Sequence, residues 1–581
     1  MRMSNFPHSE RELMADTDIV VRFAGEAGDG VNTLGDTLIK ACVRIGLNVF
    51  TFRSYPTEVR GGSVMYQARI CSGPALSQGD RPEFLAVFSK KELENNQSDL
   101  TPDGAILVDA EAAQFAKAAK SVLPTPISEL SQRFGADRRN MAVLGVCARY
   151  LGVSRDVIQG LLQERYAKRD EALRMNVGAF EAGWDFCGEK SWRHPKQIMP
   201  ALSAPPRLLL SGNEAISLGA IAAGCRFFAG YPITPASEIL EYLSETLPRF
   251  GGRVLQVEDE MAALAAVIGA SFTGTKAMTA TSGPGFSLMG ELIGYASMAE
   301  VPCVIVDSQR VGPSTGIPTA TEQSDLLLAV HASHGESPRI VLAPSSVEDC
   351  FYMTIEAFNL AEEYQMPVIF LADLALSHRM EAVPAIEMDR VHVKNRLIPD
   401  ETALGEYRRF KVTETGVSPM AIPGQNGMYA AMGIEHDERG FPSYTPETRS
   451  KMTEKRFRKL AQVDADRFVR TFGDPESPTG LIGWGSTEGA LMEAVDRLAK
   501  EGLPVHGMQL KMLWPLPVNP IMKFLEWKKN VFVAELNRAG QCARLLRSEL
   551  GISTKAIDKY IGLPFTAGEI ADHLRGVTRN G

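Results

Sequence analysis

The chain has 581 residues, which at roughly 150 residues per domain excludes a single compact core and points to about four domains. Hydrophobic residues at 45% and charged residues at 23% are the ordinary globular balance, so wholesale disorder is excluded as well. Sixty-one basic against 70 acidic residues leave a net charge of −9, which carries no electrostatic footprint for nucleic acid or an anionic membrane.

Residues 1–18 mix Arg2, Glu10, Arg11, Glu12 and Asp16 with no apolar run of signal-peptide type, and the longest apolar run, 261–270, is about half a bilayer span. The expectation is a cytoplasmic protein. The nearest pair among the eight cysteines, Cys42 and Cys71, lies 29 positions apart, which excludes CxxC zinc motifs and closely spaced iron–sulfur ligand runs.

In chain order, β-branched runs and helical periods alternate. Strands are expected at 48–55, 63–70, 84–88 and 105–110, after a first strand that leads into the turn Gly25-Glu-Ala-Gly28-Asp-Gly30. Residues 137–186 turn helical, with Ser154 as an N-cap for a helix over 151–167. Four prolines between Trp192 and Arg207 mark a linker. Strands then recur at 208–210, 225–230, 253–257, 276–280, 301–308, 339–343 and 367–373, alternating with helical patterns from Asn213, Ala236, Glu258, Phe286 and Ser346, which predicts a doubly wound sheet. Residues 386–475 lose the rhythm and read as an irregular arm with a charged helix at 446–471; from Gly480 an α/β pattern returns to the end of the chain. The expected organisation is multi-domain α/β: 17–190, a linker at 191–206, a doubly wound domain at 207–385, the arm at 386–475 and a third α/β domain at 476–581.

Several loops carry chemistry. The turn at Gly28 and Gly30 opens a helix and offers backbone amides to a phosphate, or is a plain tight turn. The loop 55–62 adds Arg60 beside Gly61, suited to an anion or simply solvated. Tyr231-Pro232-Ile233-Thr234-Pro235-Ala-Ser237-Glu238 lies past the carboxyl end of a strand, with two prolines fixing the backbone and Thr234 or Ser237 available as a cap. Glu258, Asp259 and Glu260 stand at a strand-to-helix junction, where acids are favoured by the helix dipole. The apolar run after Glu260 would bury its helix, and a desolvated carboxyl there suits proton exchange. Thr281-Ser-Gly-Pro-Gly285 is another strand–loop–helix turn, and Arg310 ends an apolar strand, placed to grip a carboxylate in bidentate fashion or to lie on the surface. The polar loop Gly312–Thr319 after it is long enough to close over a ligand.

The ordered set YPITPASE, EDEMAA, TSGPG and QRVGPSTGIPT resembles the α subunit of 2-oxoacid:ferredoxin oxidoreductases. The amino-terminal GEAGDGVNTLGD and PTEVRGGSVMYQARI are similar to the family's γ subunit, fused here ahead of α. LIGWGSTEGALMEA and FVAELNRAGQCARLL resemble its transketolase C-terminal-like domain. The resemblance implies a γ-type domain, a pyrimidine-binding (PYR-like) thiamine diphosphate domain and the C-terminal-like domain, with 2-oxoglutarate the closest substrate pattern. It implies that Glu260 faces N1′ of the thiamine aminopyrimidine and promotes its imino form, that Tyr231, Pro232 and Ile233 lie along the cofactor, and that Thr234 and Arg310 hold the oxoacid. It further implies that coenzyme A accepts the acyl group near Gly28, Gly30, Arg60 and Gly61, and that the reaction runs as oxidation or as reductive carboxylation.

Gly28-Asp-Gly30 is not followed by the asparagine pair of a diphosphate and Mg²⁺ motif, and no cysteine set is spaced for a cluster. The resemblance therefore assigns the diphosphate, the Mg²⁺ and a [4Fe-4S] cluster to a separate β subunit, in an αβ pair that doubles to α₂β₂ and passes electrons to ferredoxin. The competing readings are the same chemistry on pyruvate or another 2-oxoacid, a transketolase-like carboligase without redox chemistry, and a non-catalytic coenzyme A- or nucleotide-binding assembly subunit.

Overall fold

The computed structural model describes residues 17–54, 62–135, 138–201, 205–400, 407–425 and 427–578. Two compact units are present. The first comprises the described residues up to Leu210 together with Arg379–Ala385; the second comprises Ser211–His378 and Ile386 onward.

The first unit is built on an eight-stranded sheet. Its parallel half runs Ser121–Thr125, Ala105–Asp109, Phe84–Val87, Asp18–Glu26, and its other half continues through Ser63–Cys71, Asn48–Ser54, Met380–Pro384 and Arg207–Ser211. Phe23, Tyr66, Phe84 and Leu107 from the strands pack with Leu34 and Leu38 of the helix Val31–Arg44 and with Leu144 and Phe180 of helices Arg139–Leu151 and Asp170–Glu189. Gly145 and Gly183 let those last two helices touch: a β-carbon on Gly145 would stand 2.7 Å from the Trp184 backbone nitrogen. The expected helix over 151–167 begins later, at Arg155, with Ser154 in the N-cap position but making no side-chain cap bond. The strand expected at 208–210 in the second domain, here Arg207–Ser211, and the strand Met380–Pro384, which the sequence pattern does not predict, instead close the edge of this first sheet, with Glu381 paired to Phe50.

The second unit holds two sheets. The larger is ordered Met512–Trp514, Ile340–Leu342, Pro367–Asp373, Cys303–Gln309, Ala277–Thr281, Phe227–Gly230, Arg253–Gln256, parallel throughout except for the edge strand Met512–Trp514. Its central strands are buried on both faces, which is why they read as continuous apolar runs. The smaller sheet runs Val469–Gly473, His506–Leu510, Thr479–Trp484, Asn530–Glu535, Lys555–Asp558. Helix Pro446–Ala461 stops ten residues before the sequence pattern does, because Val469–Gly473 pairs antiparallel with His506–Leu510.

The irregular arm is pinned by buried charge. Glu300, fully buried, accepts from Lys455 Nζ at 2.7 and 2.8 Å and from Lys459 Nζ at 2.9 Å, and its backbone oxygen accepts from Arg409 at 2.7 Å. Arg396 is held by Glu362 through Nε at 2.8 Å and donates to the Ser271 carbonyl. Among the described residues no helix is long and apolar enough to cross a membrane.

Candidate functional site

From the strand Phe227–Gly230 the chain crosses outward to Arg253–Gln256; from its neighbour Ala277–Thr281 it crosses the other way, to Cys303–Gln309. The carboxyl ends at this reversal are where open α/β sheets bind ligands. The loops that leave those ends are the four singled out in the sequence: Tyr231 onward, Glu258–Glu260, Thr281–Gly285 and Arg310 onward.

Tyr231 is 41% exposed and Pro232 is exposed, while Ile233 and Thr234 are half-buried. The Ile233 carbonyl accepts from the amides of Ala236 and Ser237 at 2.8 and 2.9 Å. Ala236 occupies the N-cap of helix Ser237–Thr246 and makes no side-chain cap bond, so neither Thr234 nor Ser237 serves as the cap. A residue passed over in the sequence braces the loop: Asn213, buried, donates to the Pro235 carbonyl at 2.9 Å and to Glu238 Oε2 at 3.1 Å. Ser211 and Glu214 form a capping box around it, so the helix start is satisfied and Asn213 is free to face the loop.

The three acids at 258–260 divide their tasks. Glu258 is exposed, Asp259 caps the helix Glu260–Phe272 by accepting from Ala262 N at 2.7 Å, and Glu260 is 6% exposed. With the cap supplied by Asp259, the first-turn helix-dipole role does not account for the burial of Glu260. Its helix buries Ala263, Leu264, Val267 and Ile268 against the sheet. The turn Thr281–Gly285 lies against its carboxyl group: a β-carbon on Gly285 would come 2.6 Å from Glu260 Cδ. On the turn's other flank a β-carbon on Gly283 would come 2.6 Å from Asp325 Oδ2.

Arg310 is 8% exposed and donates Nη1 to the Thr234 carbonyl at 2.8 Å, which joins two of the loops. Burial lowers its pKa and Asp325 opposes that shift. No ion pair within 4.0 Å engages Arg310 among the described residues, and its buried Nε has no hydrogen-bond partner there. The following loop doubles back through a bridge between Val311 and Ile317, its tip exposed. Gln323, buried, fixes the loop's far end by donating to Asp373 Oδ2 at 3.1 Å and to the Trp484 carbonyl at 3.2 Å, and by accepting from the Leu536 amide at 3.1 Å.

These residues fit the aminopyrimidine end of thiamine diphosphate. A buried carboxyl group with no donor from any described residue is the right partner for a ring nitrogen, and Gly283 and Gly285 let the turn lie against the Asp325 and Glu260 carboxyl groups where a β-carbon would clash. Among the described residues no three His, Cys, Asp or Glu side chains are grouped to hold a metal ion, and all eight cysteines are buried and outside any disulfide.

In the first unit, Gly28 and Gly30 follow the strand Asp18–Glu26 with φ of 110° and 77°, Gly28 exposed and Gly30 at the N-cap of Val31–Arg44. Asp29 Oδ2 accepts from Glu26 N at 2.8 Å, and Oδ1 accepts from Arg139 at 2.7 Å, so Arg139 is already paired within the turn. Arg60 and Gly61 lie outside the described residues.

Residues 218–455 match the family described as pyruvate flavodoxin/ferredoxin oxidoreductase, thiamine diphosphate-binding; residues 20–186 match pyruvate ferredoxin/flavodoxin oxidoreductase, and residues 479–562 match pyruvate:ferredoxin oxidoreductase core domain II. The class is therefore a thiamine diphosphate-binding oxidoreductase. The chain is 32% identical to 2-oxoglutarate oxidoreductase subunit KorA of Mycobacterium tuberculosis, over 98% of this chain and 93% of that one. It is 43% identical to 2-oxoglutarate synthase subunit KorA of Methanocaldococcus jannaschii, over 56% of this chain and 88% of that one. A solved 2-oxoglutarate:ferredoxin oxidoreductase from Magnetococcus marinus, with 2-oxoglutarate, coenzyme A and succinyl-CoA bound, superposes with a TM-score of 0.92 at 38% identity, over 97% of this chain and 100% of that one. The chain belongs to the 2-oxoacid:ferredoxin oxidoreductase family.

Proposed function

We propose that the chain is the γα-fused α subunit of a 2-oxoglutarate:ferredoxin oxidoreductase. The reaction takes 2-oxoglutarate and coenzyme A to succinyl-CoA and CO₂, passing two electrons to ferredoxin and releasing one proton. The observation that carries this reading is the buried Glu260 carboxyl group at the sheet's reversal point, seated on the glycine turn Gly283–Gly285, with the loops of Thr234 and Arg310 bonded to each other at the same end of the sheet.

Thiamine diphosphate, when bound, supplies the carbon nucleophile and electron sink for decarboxylation. Glu260 would exchange a proton with N1′ of the pyrimidine ring, while Tyr231, Pro232 and Ile233 line its approach. Arg310 would hold an oxoacid carboxylate with the guanidinium edge left unpaired by the protein, and the Thr234 hydroxyl would take the neighbouring oxygen. In the first unit the amides around Gly28 and Gly30, with Arg60 and Gly61, would approach coenzyme A; their support is the exposed, positive-φ turn at a strand's carboxyl end.

A β subunit would complete the centre with the diphosphate, Mg²⁺ and [4Fe-4S] cluster in an α₂β₂ enzyme of the cytoplasm. What supports a partner is an apolar surface around the site: Leu255, Met261 and Leu288 are exposed beside Glu260's helix and turn. Purified chain mixed with its β subunit, thiamine diphosphate, coenzyme A and 2-oxoglutarate should reduce a viologen dye, and the chain alone should not. Failure of the complex with every 2-oxoacid tried would refute the assignment.

A further inference from the structure

The strand Cys303–Gln309 is apolar until Asp307, which is fully buried. Successive side chains of a strand alternate, so Asp307 shares a face with Gln309 and, through the register Thr281 to Asp307, with Thr279 and Thr281 of the adjacent strand. Asp325 is drawn over this face. Its amide donates to Gln309 Oε1 at 3.1 Å, and its carboxylate lies against Gly283.

Neither oxygen of Asp307 has a hydrogen-bond partner among the described residues, nor have Thr279 Oγ1 and Ser282 Oγ in the same pocket of the fold. A carboxylate ion without donors is far costlier to bury than the neutral acid. Burial and the nearby Asp325 push the Asp307 carboxyl well above the usual range. Burial and Glu322 push Asp325 up to about 6, against the pull of Arg310. Near neutral pH Asp325 is thus the ion and Asp307 the acid. The other charges at hand are accounted for: Asp373, on the next strand, is engaged by Gln323 and the Leu376 amide, and Glu260 lies beyond the turn Thr281–Gly285.

We propose that Asp307 and Asp325 hold one proton between them and, as positioning residues, set the charge that Arg310 presents to the oxoacid. Asp325 is the negative charge that acts on Arg310; with the proton in place it is the only one of the pair that is charged, and with the proton gone Asp307 adds a second buried negative charge behind it, so the attraction for an anionic substrate is weakened. The proposal rests on the reading of Arg310 as the carboxylate anchor.

The test is the KM for 2-oxoglutarate of the assembled enzyme across neutral to alkaline pH at saturating coenzyme A. Wild type should show KM rising about tenfold once the pair loses its proton, with kcat changing less. In Asp307→Asn, which has no proton to lose, KM should stay flat over that range; an unchanged alkaline rise overturns the proposal. Asp325→Asn should move the rise to lower pH, since Asp307 loses its repelling neighbour, and an unmoved rise counts against it. Infrared difference spectra of the complex give a readout independent of turnover: a protonated carboxyl band present in wild type and missing from Asp307→Asn. Its absence from wild type at neutral pH also overturns the proposal. Arg310→Lys separates the two readings. Unchanged KM there removes Arg310 as anchor, whereas a raised KM with an unchanged rise in Asp307→Asn removes only the shared proton.

Discussion

Gly285 and Glu260 touch so closely that no side chain at 285 fits while the carboxyl group stays where it is: an alanine β-carbon would meet Glu260 Cδ at 2.6 Å. The atoms in the way are the ends of two side chains, Glu260 and Thr281, so the strain is relieved by moving them and the backbone need not shift. Gly285→Ala should therefore fold and assemble but lose turnover by about 10- to 100-fold, because an ångström of misplacement at the reacting group is costly. Gly269→Ala, in the same helix as Glu260 with nothing within 4 Å of its β-carbon, is the control. It should raise thermal stability by up to about 1 kcal/mol. Equal kcat in Gly285→Ala and wild type would show that the turn does not position Glu260.

Glu260→Gln keeps the side chain's shape and removes the proton. If the carboxyl group serves as the proton relay, kcat should fall by about 10²- to 10⁴-fold while the size of the complex in solution is unchanged. A turnover near that of wild type would return Glu260 to a helix-start residue, a role that Asp259 already fills through its bond to Ala262.

The loops of the site were legible because their chemistry is local: Pro-x-x-Pro, a glycine turn and a lone arginine at a strand end each announce themselves within a few residues. Asp307 was missed for the opposite reason. It ends an apolar strand and reads as the edge of a core, and its meaning comes from Asp325, which is distant in sequence and whose amide donates to Gln309 on the same strand face. Asn213 acts across a fold contact that no spacing encodes. The same holds for the short strand Met380–Pro384: its partner is Asn48–Ser54, far back in the chain, and propensity carries no information about such pairing. The motif that reads most clearly in the first unit, Gly28 to Gly30, is where geometry adds least, since Asp29 and Arg139 satisfy each other beside it.

Met261 follows Glu260 directly yet faces outward, 47% exposed, and Leu288 beyond the glycine turn is 50% exposed. An arginine at 261 costs the isolated chain little, because the site is already in water. If the β subunit covers this face, burying that charge without a partner should weaken the complex by about tenfold or more, seen as dissociation in size-exclusion chromatography at micromolar concentration. An undisturbed complex of Met261→Arg would place the docking surface elsewhere.

Glu300 tests how the arm is held. Burial alone would raise its pKa, but the charges of Lys455, Lys459 and Arg409 outweigh burial and hold the carboxyl well below its usual range. Lys455→Met strips one of these charges from a fully buried ion and should destabilise the protein by about 3–5 kcal/mol at neutral pH. The sign of the pH dependence follows from the depressed folded pKa. The stabilisation from Glu300 is complete above its unfolded value of 4.5 and is lost as pH falls below it, since the unfolded chain then binds the proton first. In Lys455→Met the carboxyl is depressed less, so the folded variant takes up its proton at higher pH than the folded wild type does. Lys459 beside Glu300 is pushed down to about 7 by burial and by Lys455, so the comparison starts at pH 6, where Lys459 is protonated in both proteins. From there the gap between the two unfolding curves should be constant down to about 4.5 and narrow below it. Urea unfolding of both proteins at pH 6, 5 and 4 measures this; a gap that widens between pH 6 and 4 would mean that Glu300 is not the charge Lys455 stabilises.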